Sequence, residues 1–190
     1  MSRWSGSAAR ALRRAPLTEQ ELLDRIYAAE RSNEARLVYA DWLQERGDPR
    51  GEFIALQCRT RRSPREEELL RLHAKKWLGP LGAVVQLSGL VFERGFPVAG
   101  QLAGTVSELR RVAGHPAWAT FRKLDVSRVP SHEPAVEQMV VGLSKRGIVI
   151  TGLGGAPHLA RSVERGGRSA VEEYLALSLL EGVDDDFDDV

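Results

Sequence analysis

One stretch constrains the fold of this chain more than any other: residues 37–57, LVYADWLQERGDPRGEFIALQ. Leu37, Val38, Trp42 and Leu43 recur at helical spacing, with Tyr39 and Ala40 among them, and predict a first helix with an apolar face. Gly47 supplies the left-handed position that ends a helix at little strain. Asp48 is a side-chain cap for a second helix, and Pro49 takes the first helical position, where its missing N–H is harmless. Phe53, Ile54 and Leu56 give that second helix its own apolar face. The stretch reads as a helix–corner–helix unit.

The flanking segments carry equally local signals. Upstream, Thr18 and Glu21 form a capping box, Leu17 faces Leu22 as a hydrophobic staple, and Leu22, Leu23, Ile26 and Tyr27 form a buried face. Ser32 or Asn33 restarts the chain. Downstream of a basic linker, Ser63, Pro64 and Glu66 open a helix that runs to about Leu78, where Gly79-Pro80 stops it. The character then changes. Val84–Leu87 and Leu90–Phe92 are short and strand-like, Glu93-Arg94-Gly95 is a turn, and Phe96 and Val98 resume an alternation, so a β-hairpin is expected. Thr105 and Glu108 cap a short helix closed by Gly114. Pro134–Arg146 reads as a helix ended by Gly147, Ile148–Ile150 as a strand, Thr151–Pro157 as a Gly-rich loop, and a last helix starts at Ser169 and Glu172.

YADWLQERGDPRGEFIALQ resembles the signature of the bacterial repeat-companion domain, which precedes leucine-rich repeats in large bacterial proteins. The resemblance continues in RLHAKKWLGPL (Arg71–Leu81), FERGFP (Phe92–Pro97) and HPAWATFRKLDVS (His115–Ser127), and covers about Leu22 to Ser127. It implies an architecture and brings no established biochemical activity with it. In the last of these segments Phe121, Leu124 and Val126 fit the leucine positions of a repeat. The asparagine expected three residues after Val126 is Val129, which makes the unit degenerate. The expected fold is therefore α+β (mixed): a helical N-terminal half, then a β-hairpin and one or two degenerate leucine-rich-repeat-like βα units. Four regions are expected: a disordered basic arm over 1–16, a helical repeat-companion domain over 17–80, a β-hairpin and repeat-like βα region over 81–182, and an acidic tail over 183–190. A terminal helix with a polar outer face, Arg168–Glu181, would cap the repeat edge.

Composition excludes several function classes. The 190 residues are 43% hydrophobic and 28% charged with a net charge of +1, so no global field selects a partner. Charge is instead concentrated at the ends. Arg3, Arg10, Arg13 and Arg14 lie in an acid-free N-terminus, and Glu181, Asp184, Asp185, Asp186, Asp188 and Asp189 in a base-free C-terminus. Cys58 is the only cysteine, which rules out an intramolecular disulfide and a thiolate metal cluster; on the apolar side of its helix it is expected to be an inert thiol. No apolar run approaches the roughly 20 residues of a membrane helix. A cytoplasmic protein without a membrane partner is expected.

The chemistry-bearing residues form no catalytic pattern. His73, His115, His132 and His158 lack metal-ligand spacing, so neither a metal nor a cofactor is expected. Gly152-Leu-Gly154-Gly155 follows an apolar strand as a dinucleotide loop does, but Pro157 stands where a third glycine belongs and no helix pattern starts directly; a plain turn is expected. Asp41, Glu45, Arg46, Asp48, Arg50 and Glu52 read as caps, ion pairs and solvated faces, or, acting together, as a polar recognition surface. Trp42, Trp77 and Trp118 read as core. In the tail, Phe187 within its aspartates suits an apolar pocket ringed by cations.

These features favour a non-enzymatic protein-interaction module, a small adaptor or regulatory subunit of a larger complex, binding another protein. The residues expected to meet that partner are Asp41, Arg46, Arg50, Glu52, Asp184, Asp185, Asp186 and Phe187, with the βα face beside them. A nucleic-acid-associated accessory factor is the first alternative, using Arg10, Arg13, Arg14, Arg59, Arg61, Arg62 and Arg65 on phosphates. An enzyme with a site assembled from scattered residues is the second. No small-molecule substrate is evident from the sequence.

Overall fold

The first four helices begin where their capping side chains dictate. The computed structural model describes residues 17–29, 32–59 and 63–166. Helix α1 (Glu19–Ala28) opens on the Thr18–Glu21 capping box, with Thr18 N–H donating to the Glu21 carboxylate at 2.7 Å. Helix α2 (Asn33–Gln44) is capped by Ser32, and helix α3 (Pro49–Gln57) by Asp48, whose Oδ1 accepts from Arg50 N–H at 2.8 Å. Between them the chain closes a Schellman turn: Asp48 N–H donates to Leu43 O at 3.0 Å and Gly47 N–H to Gln44 O at 2.9 Å, with Gly47 at φ 69°. Helix α4 (Pro64–Trp77) is capped by Ser63 and runs into a short 3-10 turn, Gly79–Ala83.

The apolar face of α2 is displaced from the expected one. Leu37 and Val38 are 40% and 44% exposed, and the buried stripe is Arg36, Tyr39, Ala40 and Leu43. Arg36 takes a core position because its guanidinium donates to Ser32 O at 2.8 Å and lies over the Phe96 ring, 5.5 Å from the centroid. Its methylenes then serve as apolar surface.

The second half is a four-stranded mixed sheet in sequential order. Strands β1 (Val85–Glu93) and β2 (Phe96–Ala103) are antiparallel, and β3 (Lys123–Arg128) and β4 (Val149–Thr151) add in parallel. The hairpin turn has Arg94 at φ 51° and Gly95 at φ 83°, the two positive values that suit the right-handed twist of its strands. The two strand fragments expected on either side of Ser88-Gly89 are one strand, whose register shifts between Gln86 and Val91.

Helix α5 (Val106–Val112) crosses from β2 to β3, and α6 (Pro134–Lys145) from β3 to β4. A further helix, α7 (157–166), begins directly after the Gly-rich loop, contrary to expectation; a proline at its first position marks the start. The parallel strands thus recur at about 25 residues, within the range of leucine-rich repeats. The expected Arg168–Glu181 helix, basic arm and acidic tail lie outside the described residues.

Three apolar clusters hold these elements. Trp118 is fully buried with Phe121, Leu124, Val126, Val140 and Leu143, and its indole N–H donates to Val112 O at 2.7 Å. Phe96, from the hairpin, completes a cluster of Leu22, Ile26, Tyr39 and Ile54. Phe92, from the same hairpin, packs edge-on against Phe53 and Trp77 in a cluster with Leu69. The hairpin is therefore core to the helices as well as to the sheet.

Candidate functional site

Alternation along the strands sorts side chains onto two faces. Leu102, Leu124, Val126 and Ile148 turn inward to Val136, Met139, Val140 and Leu143 of α6. Lys123 and Asp125, which alternate with the inward Leu124 and Val126, turn outward. Register lines the outward residues into rows: Val91, Ala99, Lys123 and Val149 side by side across all four strands, and Gln101, Asp125 and Thr151 beneath them. Val91 is 43% and Val149 59% exposed, and Lys123 is exposed. Among the described residues, this face carries no helix.

Two features stiffen the face. Gln101 Nε2 donates to Asp125 Oδ2 and to Ser127 Oγ, both at 3.3 Å. Ser127 N–H donates to Asp125 Oδ1 at 2.8 Å, and this contact holds the Asp125 carboxyl below its ordinary range. Gly152 of the Gly-rich loop packs on the same turn; a Cβ there would collide with Asp125 Oδ1 and lie 2.7 Å from Ser127 N. The loop's structural task is to close over this turn. Between β1 and β3 the face dips into a depression of about 440 Å³ bounded by Ser88, Val91, Ala99, Gln101 and Lys123.

The residues singled out in the sequence scatter. Asp41 is exposed on α2. Arg46 lies over the Trp42 ring, 3.6 Å from its centroid, and donates to Trp42 O at 2.8 Å. Glu52 accepts from Arg65 Nε and Nη2, both at 2.9 Å, which lowers its pKa. Arg65 also reaches Glu68 at 2.8 Å, so its charge is already spanned by two carboxylates. Arg59 is exposed; Arg10, Arg13, Arg14, Arg61, Arg62, Asp184, Asp185, Asp186 and Phe187 lie outside the described residues. Arg50 turns inward, to a cleft between the helices and the Pro116–Thr120 turn. Among the described residues, the ion pairs these charges make with one another are Glu45 with Arg46 at 3.8 Å and Glu52 with Arg65 at 2.9 Å, and they build no common site.

Trp77 and Trp118 are core, while Trp42 is half-buried and donates its indole N–H to Leu17 O at 3.1 Å. Cys58 is half-buried, and burial pushes its thiol pKa up. No group of three or more His, Cys, Asp or Glu among the described residues is arranged to hold a metal ion. No described helix is long and apolar enough to cross a membrane. The row Val91–Ala99–Lys123–Val149 escaped the sequence reading, because only cross-strand register assembles it; the alternation in Lys123–Arg128 was its one visible signal.

No protein-family model, no curated protein and no solved structure matches the chain.

Proposed function

We propose that this chain is a non-enzymatic protein-interaction module, an adaptor or regulatory subunit that binds another protein through the outward face of its sheet. The observation that carries this reading is the uncovered row in which Lys123 stands between Ala99 and Val149, with Val91 one strand beyond Ala99. Two exposed valines in one row with a cation suit a partner segment that presents apolar side chains with a carboxylate opposite Lys123. Parallel strands at about 25-residue spacing support kinship with repeat proteins, whose sheet faces are extended binding surfaces. The resemblance of Leu22–Ser127 to the repeat-companion domain belongs to the same proposal: the helical half would close one end of a short repeat-like sheet.

The test is capture from the native host with and without nuclease, comparing the wild-type chain with Lys123→Glu/Val149→Glu. One protein recovered by the wild type in both conditions, and lost with the double variant, is the expected result. Recovery that disappears on nuclease treatment would overturn it in favour of nucleic-acid association.

A further inference from the structure

Arg50 occupies an unusual place for a cation. It is the second residue of α3, at the end where the helix dipole and free N–H groups are already positive. Arg50 is half-buried, its Nε has no contact with solvent, and burial depresses its pKa. Its hydrogen bonding is sparse for a five-donor group: Nη2 donates to Gly95 O at 3.3 Å, and Nε is buried with no acceptor. The Phe96 ring lies 4.8 Å away.

No carboxylate among the described residues forms an ion pair with Arg50. The two nearby acids are committed elsewhere. Asp48 accepts the Arg50 backbone N–H and lies 3.7 Å from Lys76 Nζ, and Glu19 accepts the Tyr39 hydroxyl at 2.7 Å. A half-buried cation without a paired acid loses hydration that no direct carboxylate contact replaces.

The cleft beside it has a volume of about 340 Å³. Its walls are mostly apolar, including Leu23, Leu81, Phe96, Pro97 and Ala117. Two further donors belong to lining residues. Trp77 Nε1 is buried with no acceptor, and His115 accepts Ala117 N–H at Nδ1 (3.2 Å), which leaves the proton of the neutral ring on Nε2. Arg50, Trp77 and His115 thus bring donors to a mostly apolar wall, with Glu19 as the acid that lines it.

We infer that this cleft binds a carboxylate joined to an apolar body, the carboxylate meeting Arg50 and the body resting on Phe96 and Leu81. One cation, with the Glu19 carboxylate on the same wall, suits a monoanion better than a phosphate. The site is separate from the sheet face and does not depend on the function proposed for it. A free acid and the terminal carboxylate of a peptide share this chemistry.

The experiment is a titration of the full chain followed by amide chemical-shift changes. The probes are phenylacetate, phenylacetamide, inorganic phosphate and an acetylated dipeptide ending in a free phenylalanine carboxylate. Phenylacetate at about 10 mM, enough to fill a site of about 1 mM Kd, is expected to give saturable shifts around Arg50, Trp77 and His115. The neutral amide and phosphate should bind about tenfold more weakly or not at all. Tighter binding by the dipeptide than by phenylacetate would identify a chain terminus as the source, and the reverse a free acid.

Arg50→Met should abolish the difference between phenylacetate and phenylacetamide. If that variant does not fold, Ala117→Trp, which narrows the cleft and leaves Arg50 in place, should abolish phenylacetate binding. Equal binding of acid and amide, preference for phosphate, or no shifts at the cleft would overturn the inference.

Discussion

Gly95, in the hairpin turn, rests directly on Ile54 of helix α3. A Cβ at Gly95 would run into Ile54 Cγ1 and come within 3.0 Å of its Cβ and 3.2 Å of its Cα, at a backbone φ of 83°. This one contact sets how closely the hairpin approaches the helical half. It also places Phe96 in the helical cluster and the Gly95 carbonyl beside Arg50.

Gly95→Ala therefore meets both backbone strain and overpacking, and is expected to destabilise the fold by about 3 kcal/mol. Gly89 has φ 74° but nothing within 4 Å of a Cβ, so Gly89→Ala should lose only about 1 kcal/mol. Urea unfolding of the two variants separates the terms. Equal losses would mean that the Gly95–Ile54 approach is not tight.

Capping boxes at Thr18 and Thr105, the Schellman corner at Gly47 and the stop at Gly147 were legible in the sequence because each is settled within five residues. The fold class followed from them and from the switch to strand alternation after Gly79. Arg50 was not legible as an inward residue, since its surroundings come from Gly95 and Phe96 across the hairpin. Leu37 and Val38 were misplaced for a related reason: hydropathy alone ranks Arg36 as surface, and only Ser32 O and the Phe96 ring make it a core residue. The sheet face needed three non-local registers at once.

Asp125 gives the sheet face a pH response. Its folded pKa is lowered, chiefly by the Ser127 N–H and hydroxyl. The unfolded value is about 3.9, so its contribution is complete above that pH and is lost as pH falls through the lower folded value. Asp125→Asn, which keeps an acceptor for Ser127, should flatten the decline in stability below about pH 4. An acid limb identical to wild type in pH-dependent urea unfolding would contradict this.

Cys58 is expected to be a poor nucleophile. Burial raises its pKa against the opposing pull of Arg36 and Arg94. At neutral pH a disulfide reagent such as dithionitrobenzoate should label the native thiol about tenfold more slowly than the unfolded chain. Equal rates would place the sulfur in open solvent.

The central claim, that the outward sheet face meets another protein, is tested most directly by site-specific photocrosslinking in the native host. A benzophenone side chain at Val149, 59% exposed in the row, is compared with one at Gln138, exposed on α6, the helix packed against the opposite face. The account predicts one discrete protein adduct from position 149, resistant to nuclease and absent from position 138. Adducts of the same identity and yield from both positions, or none from 149, would contradict it.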